Sequence, residues 1–156
     1  MSNIIAVTGH RPDKLGGYGI DGMMRRGRLA LKVLEQEKPD TVLTGMAVGW
    51  DQAIASACIV LGIEYIACIP FVGQEKMWPV ESQNSYAQLL ACAYDIIIVS
   101  PGIFTAKKMQ VRNQFMVDRC NKLVALWDGS DGGTANCVRY AAKKHVPVVN
   151  VFNQFK

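Results

Sequence analysis

The sequence has few charged residues and no long hydrophobic run. Charged residues make up 19% of its 156 residues, and 17 Lys and Arg stand against 13 Asp and Glu without any dense basic block. Binding to the phosphate backbone of a nucleic acid needs such a block, so the composition does not favour nucleic acid as a partner. No segment has the roughly eighteen uninterrupted apolar residues of a membrane span, and the N-terminus lacks a secretory signal. We therefore expect a cytoplasmic protein without membrane contact.

The cysteines form no metal or disulfide pattern. They are odd in number, lie in apolar runs, and include no CxxC pair or Cys/His cluster at zinc spacing. We expect them to be reduced core residues, and we predict no metal site and no bound cofactor. The five are Cys58, Cys68, Cys92, Cys120 and Cys137.

Short apolar runs alternate with longer segments of helical period. The alternation predicts βα units with a parallel sheet covered on both faces. We therefore predict a single Rossmann-like, three-layer α/β/α domain over residues 1–156, with a mainly parallel sheet of about six strands. The predicted strands are 4–8, 41–44, 65–69, 95–100, 122–127 and 148–152, and the predicted helices run to about residue 37 and over 50–61, 82–93, 111–120 and 134–144.

The loop after the first strand is basic and rich in glycine. Gly9 allows a close backbone approach, and Arg11 and Lys14, together with His10, provide groups that bind phosphate or carboxylate. Because the carboxyl ends of parallel strands line the ligand crevice, this position favours a binding role. The alternative is a solvated connection that happens to be basic.

The loop after the second strand places Gly45 and Gly49 four residues apart, with Met46 between them, directly before a helix. This layout is typical of a phosphate cradle, although the fuller GxGxxG fingerprint is absent. Asp51 lies in the first helical turn. Its carboxylate either holds a ribose hydroxyl or a water, or simply interacts favourably with the helix dipole.

A third candidate is Arg112 with its neighbour Asn113, at the predicted beginning of a helix. A cation is disfavoured at a helix N-terminus unless an anion lies nearby, which favours a ligand or an ion pair. The alternative is an ordinary surface ion pair.

The loop after the fifth strand contains Asp128 and then Gly132, Gly133 and Thr134. Paired glycines followed by a hydroxyl residue can present successive N–H groups to a phosphate at a helix start. The alternative is a flexible turn with Thr134 as the N-cap. In a separate segment, Trp78 either stacks on a base or packs against the protein, and packing is the commoner role.

Four segments of the chain together resemble the SLOG superfamily, and more narrowly its YpsA branch. They are residues 8–12, 45–51, 112–118 and 127–134, and they occur in the same order over essentially the whole length. The resemblance implies a Rossmann-like domain related to the DNA-processing protein DprA and to the LOG phosphoribohydrolases. It also implies a homodimer or larger assembly.

In the LOG branch, an Arg on a helix and a Glu after the glycine-rich loop carry hydrolysis. Arg112 matches the Arg, but Cys137 stands at the position of the Glu. An acid elsewhere, such as Asp51 or Glu81, can replace it only if the fold brings that acid within reach of the ribose. We therefore expect binding of a nucleotide-derived phosphate ligand. Nucleotide N-glycosidase activity is the alternative, and single-stranded DNA binding as in DprA is the weaker one.

Overall fold

A computed structural model describes residues 2–155. Within that range none of the helices is both long and apolar enough to cross a membrane. The elements alternate as strand and helix along the chain. They are β1 (Ile4–Gly9), α1 (Ile20–Glu37), β2 (Thr41–Thr44), α2 (Trp50–Leu61), β3 (Glu64–Ile69), α3 (Val80–Cys92), β4 (Asp95–Ile98), α4 (Ala106–Asp118), β5 (Lys122–Leu126), α5 (Gly133–Lys143), β6 (Val148–Asn150) and α6 (Phe152–Phe155).

The strands form one parallel sheet in the order β4-β3-β2-β1-β5-β6. From β1 the chain moves outward strand by strand to β4, and it then returns to the other side of β1 as β5. The strand order therefore reverses beside β1. In open α/β sheets the ligand crevice lies at such a switch point, outside the carboxyl ends of the strands.

Helices cover both faces of the sheet, which confirms the predicted Rossmann-like α/β fold. Alternate residues of each strand point to opposite faces, so Ile5 and Val7 join one core while Ala6 joins the other. The first core packs beneath α1, α2 and α3, and the second packs beneath α4 and α5. Packing in the two cores fixes the strands, and the strands position the loops at their carboxyl ends.

Helix α4 begins at Ala106, five residues earlier than predicted. Lys107 and Lys108 lie in its first turn, where cations oppose the helix dipole. The Lys108 side chain points back to the loop before the helix, where its Nζ donates to the carbonyls of Pro101 and Ile103. The prediction that Arg112 stands at a helix beginning is therefore wrong, since it is the seventh residue of α4.

The last strand ends earlier than predicted, at Asn150. The Asn150 side-chain oxygen accepts hydrogen bonds from the backbone N–H groups of Trp127 and Phe152, at 3.2 Å each. That side chain turns the chain out of the sheet. Phe152 therefore opens the short helix α6 instead of closing β6.

Candidate functional site

The loops after β1 and β5 are joined by three polar contacts, one of which is a hydrogen bond from the Asp128 amide to His10 Nε2 at 3.0 Å. His10 Nε2 lies 2.8 Å from Asp128 Oδ1, and Lys14 Nζ donates to Ser130 Oγ at 2.7 Å. The Ser130 hydroxyl and amide both donate to Asp128, and with His10 they lower the pKa of this carboxyl to about 2. Asp128 is therefore charged and repels an anion. Its role in this geometry is to orient the buried His10.

The glycines of the first two loops make room for other parts of the protein. A Cβ on Gly45 would lie 2.5 Å from Arg112 Cζ, and one on Gly9 would lie 2.5 Å from Trp50 Cδ1. Gly49 has a φ of +113°, and a Cβ there would lie 2.7 Å from the His10 carbonyl oxygen. Protein packing thus accounts for these glycines, and backbone contact with a ligand at the same positions stays a prediction.

Arg112 connects α4 to the ends of two strands. Its side chain is only 5% exposed, and Nη1 donates to the carbonyls of Gly45, at 2.7 Å, and Cys68, at 3.3 Å. Nε donates to Asn113 Oδ1 at 3.1 Å, and Asn113 Nδ2 reaches the Gly133 carbonyl at 3.5 Å. Arg112 is not the surface ion pair considered as its alternative. Within residues 2–155, its Nη2 makes no hydrogen bond.

Asp51 is a buried carboxyl group at the start of α2. It is 7% exposed, Oδ2 accepts from the Ala47 amide at 3.3 Å, and Oδ1 has no partner among the described residues. Burial raises the pKa of Asp51 to about 6, and the nearby charges of Arg112 and Arg11 oppose that rise. Burial also lowers the pKa of Arg112, against the charge of Asp51. Asp51 can therefore gain or lose a proton near neutral pH.

The N-terminus of α5 is open to solvent. Gly132 and Gly133 are exposed, and the N-cap residue Gly132 provides no side-chain hydrogen bond. The first backbone bond of this turn joins the Asn136 amide to the Gly132 carbonyl, which leaves the preceding N–H groups unpaired. Thr134 lies among them with a buried side chain. At the N-terminus of α2, by contrast, Gly49, Trp50 and Asp51 are all buried.

Two further predicted residues lie close to Asp51. Arg11 is exposed and its side chain makes no hydrogen bond within residues 2–155, yet its charge acts on Asp51. Met46 is fully buried and has a φ of +64°, an unusual backbone conformation for a residue with a side chain. The Met46 carbonyl accepts from Gln52 Nε2 at 3.0 Å, which holds this turn in place.

Three further residues concern the proposed catalysis and base stacking: Cys137, Glu81 and Trp78. Cys137 is fully buried, and burial raises the pKa of its thiol to about 12, so it stays protonated. Glu81 is exposed in the first turn of α3, and no hydrogen bond or ion pair in residues 2–155 joins it to Asp51 or Arg112. Trp78 packs edge to face on Tyr86, with ring centroids 5.2 Å apart, and stays partly exposed.

Sequence reasoning missed three residues that shape the site. Arg26 Nη1 donates to the carbonyls of Leu15 and Gly17 and so fixes the first loop. It lies on the apolar face of α1, three residues before Leu29, where a cation needs buried partners. The other two are Gln74 and Glu75, which follow β3 at the same sheet edge as the other loops.

Gln74 ties the loop after β3 to the site. Its Nε2 donates to the Gly45 carbonyl at 3.2 Å and lies 3.1 Å from the Tyr86 hydroxyl oxygen. The position of this loop after a buried strand is the signal that could have identified both residues.

Together these contacts define a Rossmann-like α/β protein whose strand-end loops converge around one helix N-terminus, one buried acid and one buried guanidinium. The chain belongs to the YspA SLOG family (YpsA), whose model matches residues 5–150. This confirms the family expected from the four segments.

Comparison with known proteins agrees with that membership. The chain is 34% identical over 131 residues to the SPbeta prophage-derived protein YoqJ of Bacillus subtilis (strain 168), covering 74% of this chain and 77% of that protein. It is similar in structure to DNA processing protein A (DprA) from Streptococcus pneumoniae, with a TM-score of 0.66 and 18% identity, over 94% of this chain and about half (49%) of that one.

It is also similar to the molybdenum cofactor carrier protein of Chlamydomonas reinhardtii, with a TM-score of 0.60 and 19% identity, over 95% of this chain and 75% of that one. At these identities the two structural likenesses show the fold.

Proposed function

We propose that this protein binds a nucleotide or nucleotide-derived phosphate ligand at the carboxyl edge of its sheet, for sensing or sequestration. The observation that carries the proposal is the open N-terminus of α5, where exposed Gly132 and Gly133 leave N–H groups without partners. Such a terminus binds anions because its N–H groups and the helix dipole both favour negative charge.

The neighbouring side chains suit the two ends of such a ligand. Thr134 and Lys14 lie at the phosphate end, and the exposed Arg11 adds a second cation, whose guanidinium has no hydrogen-bond partner within residues 2–155. Nη2 of Arg112, which makes no hydrogen bond within residues 2–155, lies towards β2, where it can donate to a sugar hydroxyl. The buried carboxyl group of Asp51 lies near this guanidinium.

The structural neighbours support a binding role of this general kind. One is a carrier of the molybdenum cofactor and another is a DNA-processing protein. A small phosphate compound fits this chain better than DNA does, because its 17 basic residues are scattered and balanced by 13 acidic ones. DNA binding therefore stays the weaker alternative.

The proposal is tested by calorimetry with inorganic phosphate, ribose 5-phosphate and a panel of linear and cyclic nucleotides. Thr134→Val removes one hydroxyl donor to a charged group and keeps the side-chain shape, so we expect roughly tenfold weaker binding or more. Thr105→Val, at the start of α4 beyond the edge strand β4, is the matched control and leaves affinity unchanged. The proposal fails if no phosphate compound binds, or if Thr134→Val binds as well as the parent.

A second candidate function is hydrolysis of a nucleotide N-glycosidic bond. The observation in its favour is Asp51, whose pKa of about 6 suits proton transfer near neutral pH. Cys137 cannot supply the acid, and Glu81 has no contact with the site. Incubation with nucleoside monophosphates should then release free base, and Asp51→Asn should abolish that release. Absence of release from every common base removes this candidate.

We also propose a homodimer through the edge strand β4. Ile96 and Ile98 are 45% and 44% exposed there, and no Lys or Pro within the strand protects this edge. Light scattering after gel filtration should give twice the monomer mass, and Ile98→Lys should restore the monomer. A monomeric parent protein contradicts the proposal.

A further inference from the structure

Two bridges join the loops at the switch point of the sheet. The inner bridge is the contact between His10 and Asp128, and the outer bridge is the hydrogen bond from Lys14 Nζ to Ser130 Oγ, at 2.7 Å. Because β1 lies between β5 and β2, a ligand that extends from the N-terminus of α5 towards β2 has to pass over β1. The two bridges therefore span the path of the proposed ligand.

The segment that carries Ser130 has room to move. Residues 129–132, here called the strap, include two glycines with a left-handed backbone, Gly129 at a φ of +92° and Gly132 at a φ of +142°. A Cβ at either position would meet nothing within 4 Å, so neither glycine is packed closely against another part of residues 2–155. The strap can therefore turn about these glycines without displacing a core residue.

Lys14, by contrast, lies on a fixed loop. It is the last residue of the short 3₁₀ turn Pro12–Lys14, and both Pro12 and the following residue Leu15 are buried. Arg26 Nη1 also donates to the carbonyls of Leu15 and Gly17, at 2.8 and 2.9 Å. When the outer bridge opens, the strap is thus the part that moves, and the Lys14 ammonium stays beside the path of the ligand.

We propose that the outer bridge is an autoinhibitory contact, and that the phosphate group of a ligand opens it by replacing the Ser130 hydroxyl as the acceptor of Lys14. This inference rests on the proposed phosphate-ligand function. A phosphate oxygen carries negative charge and a hydroxyl does not, so the ammonium forms the stronger hydrogen bond with the phosphate. The inner bridge stays closed, because its His10 is buried, whereas Lys14 is exposed.

The test uses Ser130→Ala, which removes the acceptor of the outer bridge and leaves Lys14 in place. Calorimetry with inorganic phosphate and with ribose 5-phosphate should show roughly three- to tenfold tighter binding than in the parent protein, because binding no longer breaks a hydrogen bond. Glu37→Ala is the matched control. It removes the acceptor of the Lys122–Glu37 bridge, also 2.7 Å long, at the amino end of β5, and should leave both affinities unchanged.

Lys14→Met identifies the cause of the tighter binding. Without the ammonium there is no outer bridge to break, so Ser130→Ala should give no gain in affinity when it is combined with Lys14→Met. A gain that persists in the Lys14→Met protein would come from the lost hydrogen bond between Ser130 and Asp128, and it would overturn the inference.

The two proposals fail in different ways. If the parent protein binds phosphate compounds and Ser130→Ala binds them equally or more weakly, the proposed function stands and this inference is wrong. If neither protein binds any phosphate compound, both are wrong.

Discussion

Gly45 and Arg112 depend on each other. The Arg112 guanidinium occupies the space that a Cβ atom at position 45 would need. Its hydrogen bonds to the Gly45 and Cys68 carbonyls replace the hydrogen bonds to water that it loses on burial. The pair holds α4 against the ends of β2 and β3. Arg112 is thus a structural residue whose Nη2 makes no hydrogen bond within residues 2–155.

Gly45→Ala should therefore destabilise the protein strongly. The new methyl group displaces the buried guanidinium from its carbonyl partners, and we expect a loss of about 3 kcal/mol in the free energy of unfolding. Urea denaturation measures it. Gly27→Ala is the control, because a Cβ there meets nothing within 4 Å and lies inside helix α1. It should stabilise the protein by roughly 0.5–1 kcal/mol, and a Gly45→Ala variant as stable as this control would contradict the account.

Asp51 should make stability depend on pH in a defined window. Its pKa is about 6 in the folded protein against 3.8 in the unfolded chain, so the folded state keeps a proton that the unfolded state loses. The contribution is complete below about pH 4 and is lost as the pH rises to about 6, by up to about 3 kcal/mol. The difference in unfolding free energy between parent and Asp51→Asn should fall over this window. Two curves that run parallel from pH 4 to 7 would refute the buried, raised-pKa assignment.

At the level of single residues, the sequence identifies important positions more reliably than it identifies the role of each position. Packing against Trp50, Arg112 and His10 requires Gly9, Gly45 and Gly49 to lack a side chain, and ligand contact at these glycines stays a prediction. Sequence spacing cannot reveal such contacts, because their partners lie far away along the chain.

Among the elements, α5 begins at exposed glycines, and its N-terminus is the anion site that we propose. The sequence predicts its start within one residue, because Gly132-Gly133-Thr134 precedes an amphipathic pattern. The start of α4 was missed, because its stabilising contacts run from Lys108 to loop carbonyls that no periodicity reveals.

Gly133→Asp should change stability and binding in opposite directions. A carboxylate in the first turn of α5 interacts favourably with the helix dipole, by roughly 0.3–1 kcal/mol, and a Cβ at this position meets nothing within 4 Å. The same charge repels a phosphate, so binding should weaken at least tenfold. Gly133→Asn, its neutral isostere, should bind much more nearly like the parent. Chemical denaturation and calorimetry on both variants measure the effects, and undiminished phosphate binding by Gly133→Asp would place the anion elsewhere.

At the scale of the whole molecule, the alternation of strands and helices predicts the parallel sheet and the family segments predict its Rossmann-like form. All six strands occur, with ends shifted by one or two residues. The neighbourhood of Glu75 could not be predicted, because it depends on β3 lying beside β2 and on Gln74 reaching Gly45 across that pairing. Strand order is a property of the assembled sheet, and local pattern does not encode it.

A second surface could also attract anions. A groove between α4 and α5 is lined by Gln110, Asn136, Arg139, Tyr140 and Lys143. It lies on the outer side of these helices, and the cation of Arg139 is already paired with Asp131 at 2.8 Å. Locating the bound ligand therefore decides between this groove and the N-terminus of α5.

A crystal structure of the protein with a bound nucleoside monophosphate tests the central claim most directly. The account predicts the phosphate within hydrogen-bond distance of the Gly133 and Thr134 amides, with the sugar extending over β1 towards Asp51. A nucleotide bound in the outer groove between α4 and α5, with the α5 N-terminus occupied by water alone, would contradict it.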